Sequence, residues 1–127
     1  VLPTQSLKEV IVEMTQKRLG ITAVVDTGNK LIGIITDGDL RRMLEKNTAI
    51  DSIKAGDIMT ANPKTIEPDK LAVDALNLLR KNEITQLAVT ANGNYEGILH
   101  LHDLIREGLI EFLNSSQTKT TFLILVK

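Results

Sequence analysis

The chain has 127 residues and a net charge of −1, and its 43% hydrophobic content indicates one compact domain or two small units that share a core. Aromatic residues make up only 2%, which removes the stacking platforms of a single-stranded nucleic-acid binder, and the charge offers no attraction to nucleic acid or to an anionic membrane. The lack of cysteine excludes a disulfide framework and a thiolate metal site, which agrees with the cytoplasm.

The chain opens with an extended segment, residues 1–4, and an amphipathic helix follows it. Ser6 and Glu9 have the spacing of a capping box, and apolar residues then recur at helical intervals. This helix is predicted to end near Gly20. Because the first residue is valine rather than methionine, we expect the chain to be a piece of a longer protein.

A β-hairpin and a second helix are predicted next. Two β-prone runs, 21–25 and 31–36, flank the turn signal at 26–29. Asp39 is the expected N-cap of the helix that follows. Residues 48–62 then form a connector, which we expect to be packed because apolar residues are scattered through it.

The second half of the chain repeats this order of elements. An extended piece, 63–68, leads to a helix that Asp69 is expected to cap. The runs 86–90 and 96–99 predict a second hairpin, and a last helix opens at His102 and runs to about residue 112. Each half is therefore predicted as strand, helix, strand, strand, helix, with a right-handed crossover from its first strand.

The strongest feature of the sequence is an internal repeat. The stretch 33–42 recurs at 97–106, with Gly33 matching Gly97 and Asp39 matching Asp103 at an offset of 64 (97 − 33 and 103 − 39). For residues that precede the second hairpin turn, the offset between matching positions of the two copies is 65. The sequence thus predicts two copies of one unit, residues 1–50 and 51–111, followed by a tail at 112–127. That tail either adds a β-strand to a neighbouring sheet or is foreign to the domain.

Each repeat brings a hydroxyl or imidazole, a carboxylate and a helix start to the end of a strand. In the first copy these are Thr36, Asp37 and Asp39. Backbone N–H groups at a helix start attract phosphate, and a carboxylate accepts bonds from sugar hydroxyls. The pattern is typical of half a nucleotide pocket, although an ordinary capped helix after a strand has the same residues. Because the pattern occurs in both copies, we favour the nucleotide pocket over the ordinary capped helix.

The two units resemble a tandem pair of cystathionine β-synthase (CBS) domains over residues 1–111. The motifs that carry this likeness are Gly-Ile-Ile-Thr-Asp-Gly-Asp-Leu at 33–40 and Asp-Ile-Met-Thr-Ala-Asn-Pro at 57–63. A closer likeness is to the pair that follows the sugar isomerase (SIS) domain of bacterial D-arabinose 5-phosphate isomerases. The residues that carry it are 19–24, 36–42, 75–78, 84–85 and 99–104. The resemblance implies an α+β fold of two pseudo-symmetric β-α-β-β-α units, packed face to face with two clefts between them.

The resemblance also implies roles for individual residues. Thr36 stands where the family contacts phosphate, and Asp39 where it contacts ribose hydroxyls. Asp103 matches in the second unit, but His100 replaces the hydroxyl there, and a protonated histidine can still serve an anion. The other expected effector-binding residues are Thr22 and Thr85, placed near a base or sugar, and Asp37, Arg41, Arg42, His102 and Arg106. No catalytic residue is expected, since the SIS domain is not in this sequence.

Three function classes follow from the sequence. The first is a regulatory module of the isomerase, which senses a nucleotide or a nucleotide sugar such as cytidine monophosphate-Kdo (CMP-Kdo), where Kdo is 3-deoxy-D-manno-octulosonate. The second is a structural module that forms a homodimer through its helices and keeps a vestigial pocket. The third is a metal-dependent enzyme fragment in which His100, His102 and Asp103 bind the metal. We favour the first, because Thr36 and Asp39 are both present. The lack of a nucleophile–base pair argues against the enzyme fragment, and we expect no metal site because His102 falls in the turn, where strand alternation has ended.

Overall fold

The computed structural model describes residues 1–46 and 49–106, with Arg106 described by its backbone alone. It divides into two compact units, the first formed by Val1–Pro63 with Gly93–Tyr95 and the second by 64–92 with the described residues 96–106. The predicted end of the last helix and the tail at 112–127 lie outside the described residues. No helix in the described ranges is long and apolar enough to cross a membrane.

Helices and strands alternate in both units, which confirms the α+β fold class. The elements of unit 1 are α1 (Leu7–Lys17), β1 (Ile21–Val25), β2 (Leu31–Thr36), α2 (Asp37–Lys46), a 3₁₀ turn (Ile50–Ser52), α3 (Ala55–Ile58) and β3 (Thr60–Ala61). The elements that follow are β4 (Thr65–Ile66), α4 (Ala72–Lys81), β5 (Gln86–Ala91), β6 (Asn94–His100) and α5 (Leu101–Arg106).

The first unit has a three-stranded sheet in the order β1-β2-β3. β1 and β2 form the predicted antiparallel hairpin, and β3 pairs with β2 inside the stretch that was predicted as a connector. Val1 lies beside the opposite edge: its nitrogen donates to the Ala23 carbonyl and its carbonyl accepts from the Val25 N–H, both at 2.8 Å. These two bonds place Val1 beside β1 as a parallel strand would lie. Residues 3–4 instead form a turn, closed by a 3.1 Å bond from the Gln5 N–H to the Leu2 carbonyl, so the predicted extended segment is present only at its start.

The second unit has a sheet in the order β4-β5-β6. β4 runs parallel to β5, with Ile66 opposite Val89, so α4 is the crossover that joins two parallel strands. The core of this unit is aliphatic, as the shortage of aromatic residues required, and includes Leu76, Leu79 and Leu87. Val1 lies beside β1 in the first unit as Ile66 lies beside β5 in the second. Because these two residues are 65 positions apart, the internal repeat includes this parallel strand pairing.

Two predicted helix caps are wrong, and one is confirmed. Ser6 and Glu9 form the capping box that was expected at α1. Asp39 is not the N-cap of α2, because the helix already begins at Asp37 and the side chain of Thr36 caps it. Asp69 does not cap α4 either: a turn, in which the Lys70 N–H bonds the Glu67 carbonyl, precedes the helix and delays its start to Ala72.

Candidate functional site

Thr36 and Asp39 bind each other at the corner where β2 becomes α2. The backbone N–H of Asp39 donates to Thr36 Oγ1 at 3.2 Å, and Asp39 Oδ2 accepts from the backbone N–H of Thr36 at 2.9 Å. This reciprocal pair is a capping box in which aspartate takes the usual place of glutamate. The hydroxyl and the carboxylate that the sequence assigned to phosphate and ribose are therefore both held at the start of α2.

Asp39 has two further partners. Its Oδ1 accepts from Nη2 of Arg42 at 2.5 Å, and the hydroxyl of Thr60, on β3, lies 3.3 Å from Oδ1 and 3.4 Å from Oδ2. The Asp39 side chain is 7% exposed, whereas that of Arg42 is 62% exposed. A nearly buried carboxylate is stable when hydrogen-bond donors surround it, and Thr36, Arg42 and Thr60 supply those donors. Sequence reasoning missed Thr60, because it placed this residue in a connector.

The second unit has the same corner with different chemistry. Asp103 Oδ2 accepts from the backbone N–H of His100 at 2.8 Å, as Asp39 does from Thr36. His100 Nδ1 accepts the backbone N–H of His102 at 3.0 Å, so the imidazole caps α5 in place of a hydroxyl. Asp103 is buried to the same degree as Asp39, each residue being 8% exposed. The predicted match of the two corners is thus present in the local geometry.

The two histidines contact each other through their rings, with centroids 4.7 Å apart and planes inclined at 71°. Within the described ranges, no group of three histidine, cysteine or carboxylate side chains is arranged to hold a metal ion. The Nδ1 atom of His100 is occupied by its bond to the His102 N–H. The ring of His100 is therefore a helix cap, and the exposed ring of His102 lies beside it.

Thr22 and Thr85 do not occupy equivalent positions, although both were predicted near a base or sugar. The Thr85 carbonyl accepts from the first N–H of α5 at 2.7 Å, and in unit 1 the Gly20 carbonyl makes the matching bond to Asp37 at 3.0 Å. Thr85 therefore corresponds to Gly20, at an offset of 65. Thr22 lies within β1 and is buried, whereas Thr85 is exposed just before β5.

The remaining predicted residues lie around these corners. Asp37 is exposed at the first position of α2, and its Oδ2 would lie only 2.9 Å from a Cβ atom added to Gly20. Arg41 and His102 are exposed. Arg106 ends α5, and its side chain lies outside the described part.

Two surface depressions lie near these elements. One, of about 370 Å³, is in unit 1 between α1 and α2, and includes the predicted residue Asp37 together with Gly20. The other, of about 520 Å³, is in unit 2 beside β4 and α4 and includes none of the predicted residues. Its charges are balanced, since Lys70 and Lys81 face the same space as two carboxylates, so it offers no clear preference for an anion. The strand–helix corners remain the better candidate site.

Comparison with known families decides the class of this fold. The CBS domain family model matches residues 1–46 and 55–109, which include both strand–helix corners. The chain belongs to the CBS domain family. In this CBS pair, the two matched stretches are the two copies of the internal repeat, and the resemblance that the sequence motifs indicated is confirmed.

The curated relatives of this CBS pair are named arabinose 5-phosphate isomerase KdsD. The protein from Francisella tularensis is 44% identical over 107 residues, or 84% of this chain, and that from Escherichia coli K12 is 38% identical over the same length. The Yersinia pestis protein is 39% identical over 110 residues, or 87% of this chain. The aligned region is 32%, 33% and 34% of these three relatives, so the CBS pair spans about a third of their length.

Solved structures with this fold include two that contain a nucleotide. CBSX2, in complex with AMP, is 25% identical, covers 87% of both chains and has a TM-score of 0.70. A CBS domain protein from Pyrobaculum aerophilum, complexed with AMP, has a TM-score of 0.78 and covers 90% of this CBS pair and 89% of its own chain. At 22% identity, the second likeness concerns the fold alone.

Proposed function

We propose that this CBS pair is the effector-sensing module of a D-arabinose 5-phosphate isomerase. The observation that carries the proposal is the corner of Thr36 and Asp39, repeated at His100 and Asp103, in a chain whose relatives are isomerases of that name. The whole protein interconverts ribulose 5-phosphate and arabinose 5-phosphate for the synthesis of Kdo, and hence of lipopolysaccharide or capsule. Its SIS domain carries the catalysis, so this chain alone does not isomerise sugars, and the protein works in the cytoplasm.

The effector is a nucleotide or a nucleotide sugar. CBSX2 binds AMP, which supports the nucleotide class. In this proposal the phosphate lies at Thr36 and the N–H groups that follow it, and the ribose hydroxyls lie near Asp39. The second corner offers His100 and Asp103, where an imidazole replaces the hydroxyl at the position proposed for phosphate.

A pathway product is the natural effector, and CMP-Kdo has the required groups: a ribose, a phosphate and an additional carboxylate. That carboxylate would meet a donor side chain of the corner that holds the ligand: Arg41 or Arg42 in unit 1, and His100, His102 or Arg106 in unit 2. A hydrogen bond to a charged group contributes roughly 1.5–3 kcal/mol, or about tenfold to a hundredfold in affinity. CMP-Kdo should therefore bind more tightly than AMP, which lacks the carboxylate.

Isothermal titration calorimetry with CMP-Kdo and with AMP tests the proposal on the native chain and on Asp39→Ala. Because Asp39 also caps α2, circular dichroism must first show that the variant is folded at the working temperature. We expect the native chain to bind at least one ligand and Asp39→Ala to bind it more weakly. If the native chain binds neither, the effector proposal is wrong; if folded Asp39→Ala binds equally well, the site assignment is wrong.

The alternative is a structural module with a vestigial pocket, and one observation favours self-association in either case. Three helices expose large aliphatic side chains to solvent, 41–52% of each being accessible: Ile11 and Val12 on α1, Leu44 on α2 and Ile105 on α5. We propose that these helices, together with α4, bury this surface in a homodimer. Light scattering at high micromolar concentration should give twice the monomer mass, and a monomer there would contradict the dimer.

A further inference from the structure

The carboxylate of Asp39 already accepts hydrogen bonds from three donors in this structure. A carboxylate offers about four lone-pair sites, and here the donors are the Thr36 N–H, the Arg42 guanidinium and the Thr60 hydroxyl, which is near both oxygens. Two ribose hydroxyls therefore cannot add to Asp39 without replacing one of these donors. Ribose binding at Asp39 therefore costs the free energy of one existing hydrogen bond, and the size of that cost depends on which donor is displaced.

Arg42 is the donor that is able to leave. The Thr36 N–H belongs to the backbone at the end of β2, and Thr60 belongs to β3, which pairs with β2 opposite Ile34. Arg42, in contrast, ends a long side chain that is 62% exposed, and water can solvate its guanidinium once it turns away. Displacement nevertheless breaks a charge-assisted hydrogen bond, and sugar hydroxyls replace it with neutral donors.

The guanidinium lies next to the position proposed for phosphate. A Cβ atom added to Gly38 would lie 3.4 Å from Nη1 of Arg42 and 3.6 Å from Oγ1 of Thr36, so both groups border the same point on the first turn of α2. A ligand phosphate bound near Thr36 would therefore offer the displaced guanidinium a new anionic partner after a small movement. Arginine suits this exchange because it binds carboxylate and phosphate with the same planar donor geometry.

We infer that Arg42 determines the specificity of the unit 1 corner for phosphorylated nucleosides over nucleosides. This inference rests on the proposed nucleotide site. A nucleoside must break the Arg42–Asp39 ion pair and leaves the guanidinium without an anion, whereas a nucleotide breaks the pair and supplies the phosphate that replaces it. Arg42 thereby couples recognition of the ribose to the presence of a phosphate on the same ligand.

Arg80 provides a matched control. It lies on α4 in unit 2, outside both corners, has the same charge and is exposed, and no hydrogen bond or ion pair of its side chain occurs among the described residues. Replacing either arginine by glutamine therefore changes the net charge equally. Only the Arg42 substitution frees the carboxylate of Asp39.

The experiment is calorimetry of the native chain, Arg42→Gln and Arg80→Gln, each with AMP and adenosine and with cytidine monophosphate and cytidine. For the pair that the native chain binds, the ratio of nucleoside Kd to nucleotide Kd should fall about tenfold to a hundredfold in Arg42→Gln. This fall should come from weaker nucleotide binding and unchanged or tighter nucleoside binding. In Arg80→Gln the ratio should stay within about twofold.

Failure of this inference is distinguishable from failure of the proposed function. If the native chain binds a nucleotide but the ratio in Arg42→Gln equals that in Arg80→Gln, the role of Arg42 is wrong and the nucleotide site stands. If the native chain binds neither CMP-Kdo nor any of the four test ligands, the nucleotide site is wrong and the role of Arg42 falls with it. A thermal melt of each variant confirms that both glutamine variants are folded.

Discussion

The hydroxyl of Thr60 lies 3.3 Å from Oδ1 and 3.4 Å from Oδ2 of Asp39, although the two residues are 21 positions apart in the chain. This contact ties β3 to the first turn of α2 and helps to satisfy a carboxylate that is almost buried. Asp39 therefore has a structural role as well as its proposed role in ribose binding. Stability and ligand binding must be measured separately for any variant of this residue.

Thr60→Val should lower the free energy of unfolding by about 1–3 kcal/mol, because it preserves the shape of the side chain and removes a donor to a charged acceptor. Urea unfolding followed by circular dichroism measures the change. Thr65→Val is a suitable control, since Thr65 is an exposed threonine in another two-residue strand. Equal losses in the two variants would mean that the bond to Asp39 contributes nothing measurable.

His100 is expected to stabilise α5 as its N-cap, through the bond from the His102 N–H to Nδ1. His100→Ala should lower the free energy of unfolding by about 1 kcal/mol, which is typical of a lost cap. His100→Thr installs the residue that caps α2 in the first repeat, and should recover most of that loss. Denaturant unfolding of both variants tests this, and a threonine variant as unstable as the alanine variant would show that the imidazole does not act as a cap.

The pKa of Glu9 is lowered, chiefly by the hydrogen bond from the Gln5 side chain and then by bonds from the backbone and hydroxyl of Ser6. Since the folded pKa lies below the unfolded one, the charge of Glu9 stabilises the protein above the ordinary glutamate pKa of about 4.3, and this contribution is lost as the pH falls through the folded value. The native chain should therefore be more stable than Glu9→Gln at pH 7, with the difference shrinking in acid.

Urea titrations of the native chain and Glu9→Gln across the acid range measure this difference. Glu45→Gln, on the exposed surface of α2, controls for the removal of one surface carboxylate. Glutamine can still form a capping box, so the comparison isolates the charge. A difference that grows as the pH falls would contradict the assigned direction of the pKa shift.

Gly33 lies where β2 meets β3, and a side chain there has no room. A Cβ atom added to it would lie 2.6 Å from Sδ of Met59 and 3.0 Å from the carbonyl oxygen of Thr60. Gly33→Ala should therefore destabilise the protein by about 1–3 kcal/mol, as overpacking of a core does. Gly28→Ala, in the exposed hairpin turn, has more space and should change stability by less than about 0.5 kcal/mol.

Thermal or urea unfolding of the two alanine variants tests this pair directly. Met59 is flexible and can move, but the Thr60 carbonyl belongs to the paired backbone of β3. Adding Met59→Ala to Gly33→Ala should therefore restore little of the loss. A full recovery would show that only the methionine side chain opposes the new methyl group.

The hairpins could be predicted because their signals are local. Asn92 and Gly93 both have positive φ, at 54° and 84°, as a two-residue hairpin turn requires, and asparagine followed by glycine is the usual sequence for it. The capping box of Ser6 and Glu9 was predictable for the same reason, because it joins residues three positions apart. β3 was not predictable: two residues carry no periodic pattern, and their pairing depends on Gly33, which is distant in the chain.

By itself, the sequence determined that one unit occurs twice and that each copy places a carboxylate three residues after a strand end, because repeat and spacing are properties of the chain alone. The tertiary structure decided that α2 begins at Asp37 and that Thr60 and Arg42 complete the environment of Asp39. These features depend on which donors and acceptors the fold brings within hydrogen-bonding distance, and a pattern of neighbouring residues does not specify that.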